Sequence, residues 1–425
     1  MKPYQRLLFL GWLCFGLLAG DLCARAATGS LTPPGPAAGL AGDAGAAGAW
    51  VPTRMDNDAN TRKGFDHFYN LEYDKAIHEF ELAQQAHPDD PFAVNHLLGG
   101  IIFKELYRIG ALDTEAYAAD SFLNKKLAEP LDPAVHDRVL RLSNQALALS
   151  QTQLDKNPNN VDALYARGAT RALQSTYIGI ADHAWFSALR NAVAARHDNE
   201  RVLELDPKYV DAKLVVGTHL YIIGSLSWPV RVAASVTGMS GNKQKGLDDL
   251  WQATGSNHQE VATDARIVLA LFLRREQKYD EALQVVNVMQ GQYPRNFLMA
   301  TEYAHLLNAA GHGQEAIAAY RKVLAGCRAN AYNQCRIEIP AYGLGEALRG
   351  QKQYAAAAEA YELAAGNGKD TDLRQRATLA TGQMYDLMQQ RDTALERYKA
   401  VIAENSTSIS ADMARHYLKT AYTNP

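Results

Sequence analysis

Small and aromatic side chains recur along this chain at fixed intervals. Gly64, Tyr73, Ala76, Phe80 and Ala83 open the pattern and Pro88 closes it. Gly345, Tyr354, Ala357, Tyr361 and Ala364 repeat the first five members with identical spacing. Shorter echoes stand at Tyr279, Ala282 and Pro294, at Gly311, Ala316 and Tyr320, and at Gly382, Ala394 and Tyr398. A period of roughly 34 residues predicts stacked helix-turn-helix units, each too small to bury its own apolar face, so that neighbours supply the core. Antiparallel helices cross closely only where side chains are small, which places Gly64 in a first helix and Ala76 and Ala83 in a second. Tyr73 and Phe80 fill gaps between units, and Pro88 cannot continue a helix and ends the unit. The expected fold class is all-α.

The same residues resemble the tetratricopeptide repeat signature, and the resemblance implies a right-handed superhelical solenoid. Regular units are expected at about 57–90, 263–296, 297–330, 338–371 and 375–408, and extended or interrupted ones at about 91–158, 159–207 and 208–260, within one solenoid spanning 57–422. The irregular middle announces itself twice. Val161-Asp162-Ala163 and Val210-Asp211-Ala212 open similar units, each with a glycine five residues after the alanine, at Gly168 and Gly217. They lie 49 residues apart, which leaves room for about four extra helical turns. The added sequence, 174–191 and 225–244, carries Tyr177, Trp185, Phe186 and Trp228 and predicts longer helices and a thicker centre. Residues 101–133 form another insertion, with Phe103, Tyr107, Tyr117 and Phe122. A last amphipathic helix within 409–422, with Met413, Tyr417 and Leu418 facing inward, is expected to cap the array. The run Ser227-Trp228-Pro229-Val230-Arg231, followed by Gly238, Gly241 and Gly246-Leu247, resembles a subfamily of exported bacterial repeat proteins that is also similar to eukaryotic tetratricopeptide repeat protein 39. That resemblance covers roughly 205–325 and brings no biochemical activity with it.

The N-terminus reads as an address. Lys2 and Arg6 precede the apolar run Leu7 to Gly20, and Ala24-Arg25-Ala26 precedes Ala27. Residues 1–26 are thus expected to be a signal peptide cut between Ala26 and Ala27, and 27–56 a flexible Gly, Ala and Pro-rich tether. The apolar run of 14 residues spans about 21 Å as a helix, short of the ~30 Å hydrocarbon core, so an uncleaved inner-membrane anchor is the second reading. Leu214 to Met239 holds a single formal charge, Arg231, but Gly217, Gly224 and Pro229 interrupt it, and a buried helix with a short successor is expected instead. Export to the periplasm or medium leaves Cys327 and Cys335 as the remaining cysteines, eight positions apart in a polar stretch between units. In an oxidising compartment they are expected to form a disulfide that stiffens the junction.

Chemistry is sparse. The formal charge is −3, of which the first 26 residues contribute +2 (Lys2, Arg6 and Arg25 against Asp21), leaving −5. A mildly acidic body argues against nucleic acid as partner. The 238–243 loop lacks the Gly-Lys-Ser/Thr ending of a phosphate cradle, His78-Glu79 lacks a second histidine, and no Gly-x-Ser-x-Gly elbow occurs. No cofactor, metal or catalytic residue is expected. What remains is a binding surface. First helices line the concave side of such arrays, and helical stepping selects Ile267, Arg274, Thr301, His305, Asn308, Tyr342, Arg349, Gln383 and Asp386 as facing away from the seam. Among them Arg274, His305, Asn308, Tyr342 and Arg349 are the candidate partner-binding residues, suited to an extended peptide or a C-terminal carboxylate. The expected function is a non-catalytic protein-interaction scaffold or adaptor in the bacterial envelope. A small-ligand or transport-accessory role with a pocket around Trp185, Phe186 and Trp228 is the second reading, and an enzyme with an unrecognised site the third.

Overall fold

A computed structural model describes residues 55, 58–112, 130–181, 184–226, 228, 231, 240–368 and 370–423, with Trp185 described in its backbone alone. The expected signal and its cleavage site, most of the tether, Tyr117 and Phe122 lie outside these residues. Among the described residues are 17 helices and no strand. They run in antiparallel pairs: α1 (Ala59–Tyr69) with α2 (Tyr73–Ala86), α3 (Pro91–Arg108) with α4 (Pro133–Lys156), α5 (Val161–Ile180) with α6 (Trp185–Leu205), and α7 (Ala212–Gly224) with α8 (Lys243–Ala253). The series continues with α9 (Gln259–Arg275) and α10 (Tyr279–Gln292), α11 (Phe297–Ala309) and α12 (Gly313–Arg328), α13 (Glu338–Gly350) and α14 (Tyr354–Asn367), α15 (Thr371–Leu387) and α16 (Arg391–Glu404), and ends on α17 (Ile409–Lys419). Each helix packs mainly on its chain neighbours, so the architecture is an all-helical repeat solenoid.

The repeated residues account for the pairing. Phe80 of α2 is fully buried and faces Gly64 of α1 and Gly100 of α3. A Cβ placed on Gly345 would lie 2.5 Å from the Tyr361 ring, and one on Gly382 2.6 Å from the Tyr398 ring. In each case a second-helix ring occupies the space that a missing first-helix side chain leaves. This is the close crossing that the spacing predicts.

The tight turns share one device. Leu71, Gln277, Gly311, Lys352 and Gln389 all have φ between 58° and 86°, and the amide after each bonds the carbonyl five residues back at 2.9 Å, from Glu72 to His67 through Gln390 to Tyr385. These are Schellman closures, which satisfy the last carbonyls of one helix and launch the next. The second helices after these turns start without a side-chain cap. Several of the helices that follow other loops carry one, as at Asp90, Asp132, Asn160, Asn242, Asn296 and Ser408.

The centre is uneven in a way the sequence reading anticipated only partly. The first insertion is taken up by long helices, α5 with 20 residues and α6 with 21. The helices that flank the second, α7 and α8, have 13 and 11 residues, and most of the added sequence between them lies outside the described residues. They cross where Gly217 meets Gly246, backbone to backbone. The cap differs too. α17 buries Ser410, Ala411 and Ala414, whereas Met413 is 41% exposed, because the small residues are what let α17 approach closely. No described helix is long and apolar enough to cross a membrane.

Candidate functional site

The inner row of first helices is largely engaged with itself. Arg274 of α9 donates to Glu302 of α11 at 3.0 and 3.2 Å, with both side chains mostly buried. His305 is buried against Tyr320, ring nitrogen to hydroxyl at 2.8 Å, so it points into its pair rather than away from the seam. Thr301, Gln383 and Asp386 are buried as well. Helical stepping missed this because adjacent first helices lie close enough to cover each other's inner rows. Tyr342 of α13 packs against Tyr361, and the Arg376 guanidinium of α15 sits 5.1 Å from its ring centre. Asn308 and Arg349 stay half-buried, Arg349 being 3.7 Å from Glu346. The five candidates therefore come from three successive pairs along one side, but do not converge on a single pocket.

Of the rings expected to line a central pocket, Phe186 and Trp228 are 66% and 69% exposed, and the Trp185 side chain lies outside the described residues. A polar cleft lies elsewhere, lined by His87, Asp89, Asp90, Phe92, Gln153, Asn160 and Asp162. Among the described residues no group of three or more histidine, cysteine or acidic side chains is placed to hold a metal ion. Ser256, His258 and Asp211 meet, yet the carboxylate stands between the other two, 2.5 Å from the hydroxyl and 2.6 Å from the ring.

A different assembly was invisible in the periodicity. The turn of the first pair is seated on loops of pairs five to seven, an edge-to-edge joint between segments about 190 to 260 residues apart. Leu71 marks it. Gln277, Gly311, Lys352 and Gln389 hold the same turn position and are exposed, whereas Leu71 is buried in a cluster with Phe297, Val323, Ile339 and Leu373. Asn296 caps α11 and also donates to the Tyr69 carbonyl at 2.6 Å. The Arg295 amide donates to Asn70 Oδ1 at 3.0 Å, and its guanidinium reaches Asp66 at 2.9 Å and Glu72 at 3.3 Å. Tyr69 lies tilted against Tyr293, centroids 4.9 Å apart, and its hydroxyl lies 2.8 Å from Asp264 Oδ1 and 2.9 Å from the Glu260 carbonyl.

Cys327 and Cys335 are joined, with Cα atoms 5.6 Å apart. Their loop does more than stiffen a junction. Asn333 donates to the Leu71 carbonyl at 3.1 Å, and the Gln334 carbonyl accepts from Tyr107 at 2.6 Å, so the closed ring presents the joint's other half. Non-reducing peptide mapping of the oxidised protein should recover the two cysteine peptides linked. Changing both to serine should cost about 2.5 kcal/mol by loop-closure arithmetic. Unchanged stability in the double variant would show that the ring constrains nothing.

No protein-family model matches the chain, and no curated protein matches it. Among solved structures it is similar to a tetratricopeptide repeat protein from Parabacteroides merdae, at 14% identity over 76% of this chain and 97% of that one, with a TM-score of 0.32. It is also similar to yeast Tom70, at 13% identity over 85% and 87% with a TM-score of 0.36. A third is the human IFIT1 dimer with m7Gppp-AAAA, at 14% identity over 85% and 80% with a TM-score of 0.41.

Proposed function

We propose that this chain is a non-catalytic protein-interaction scaffold or adaptor that works in the bacterial cell envelope. The observation that supports it most is the side formed by pairs five to seven, where Arg274, Asn308, Tyr342 and Arg349 follow one another on a firmly packed core. Arginine and tyrosine supply charge and planar area at little further cost in order when their neighbours already hold them. Glu302 orients Arg274 and Arg376 covers one face of Tyr342, which leaves an extended peptide, lying across several first helices, as the occupant that suits the row. The envelope location rests on the N-terminal address and on a cysteine pair placed to bond.

In-cell photocrosslinking from Arg274 and from Tyr342 tests both parts. Both positions should capture the same protein, Arg349→Glu should reduce that capture, and the mature chain should begin at Ala27. Failure of both positions to capture any common partner would overturn the scaffold reading, and a mature chain retaining Met1 would overturn the cleaved signal.

A further inference from the structure

We propose that the joint between the first pair and pairs five to seven is a proton-sensitive closure, held shut by Tyr69 on Asp264 in acid and released as pH rises. This goes beyond the scaffold reading and does not depend on it. Tyr69 has one hydroxyl hydrogen but two acceptors within reach, Asp264 Oδ1 at 2.8 Å and the Glu260 carbonyl at 2.9 Å. A proton on Asp264 ends the competition: Asp264 then donates to the tyrosine oxygen, and Tyr69 donates to the carbonyl. Loss of that proton places a carboxylate one helical turn from Glu260 in a seam that the first pair has covered.

The groups described around Asp264 are Tyr69 on α1; Glu260 and Arg266 on α9; and Tyr293 at the end of α10. Arg266 donates to the Thr254 carbonyl, and Tyr293 meets Thr263 and Gln259, each at 3.0 Å. Arg295 lies on the far side of the joint, with Asp66, Glu72 and His67. Burial pushes the Asp264 carboxyl up to about 7; the Tyr69 hydrogen bond opposes this and Glu260 reinforces it. An exposed aspartate titrates near 3.9. The closed form therefore binds this proton more tightly than the open one. Its contribution to closure is complete below about pH 4, falls as pH rises and is gone above about pH 7.

A regular turn needs no burial at this position, as its four exposed equivalents show, so opening leaves the pairs intact and frees one edge. The Arg295 amide bonds Asn70 across the joint and is a direct reporter. Hydrogen exchange of the full oxidised chain, corrected for the intrinsic rate, should lose protection at Arg295 on the order of tenfold between about pH 5.5 and pH 8, while amides of α14 to α16 stay unchanged. Asp264→Asn keeps the size and can donate to the tyrosine oxygen, so it should hold its protection at both pH values. Leu71→Gln, with the polar residue that two equivalent turns carry, should give low protection at both. Wild-type protection that does not change with pH, or an equal pH response in Asp264→Asn, would overturn the closure.

Discussion

Gly246→Leu is expected to break the array at its centre. A Cβ on Gly246 would stand 2.6 Å from the Gly217 carbonyl oxygen and 2.6 Å from the Tyr221 amide nitrogen, and one on Gly217 would stand 2.9 Å from the Gly246 carbonyl. Those neighbours are main-chain atoms of packed helices, and neither can rotate aside as a side-chain tip would. The two helices would have to separate, withdrawing Leu247 and Leu250 from the cluster they form with Tyr221 and Ile222. Overpacking of this kind costs about 3 kcal/mol or more when backbone must move. Chemical denaturation should show the loss, and exchange should rise first in α7 and α8. A variant with wild-type stability would mean that the two helices do not cross at these glycines.

Tyr361→Ala should have a comparable cost through the opposite fault, a void. The side chain is fully buried, lies over Gly345 and beside Tyr342, and donates to Glu346 at 2.6 Å. Truncating a buried aromatic costs about 3–5 kcal/mol. Neighbour-coupled repeats need not lose that stability together, so α13 to α17 should unfold ahead of the remainder and the single transition should divide in two. Tyr361→Phe keeps the ring, forfeits only the hydroxyl bond and should cost about 1 kcal/mol. If the alanine variant were no worse than the phenylalanine variant, the ring could not be the wedge between the helices.

These two predictions draw on unequal shares of sequence and structure. Tyr361 and Gly345 stand out in the chain because the interval of 16 between them recurs from Gly64 to Phe80 and from Gly382 to Tyr398, and a spacing that recurs needs a repeated contact. Gly217 also follows from spacing, but its partner Gly246 does not. The insertion between them has no counterpart in the regular units, and nothing in the period says that one glycine backbone lies on another. Met413 and His305 show the same limit from the other side. Helical stepping assigns a face to each residue, but which face is covered depends on how closely the adjoining helix approaches.

The joint is the extreme case. Its contacts pair Tyr69 with Asp264, Asn70 with Arg295 and Leu71 with Asn333, each made once, so no interval repeats to reveal them. One local trace existed: a leucine at a turn position where the equivalent residues are glutamine, glycine, lysine and glutamine. Recognising it requires knowing that the position is a left-handed turn, a fact of backbone geometry. Local spacing was enough to establish the all-helical class, the pairing of helices and the rings that fill glycine gaps, because each depends on residues close in the chain and repeated along it. The closure of the array on itself, the engagement of its inner row and the task of the disulfide ring depended on segments brought together by accumulated small rotations between pairs. Those rotations add along the solenoid, and their sum is a property of the folded array.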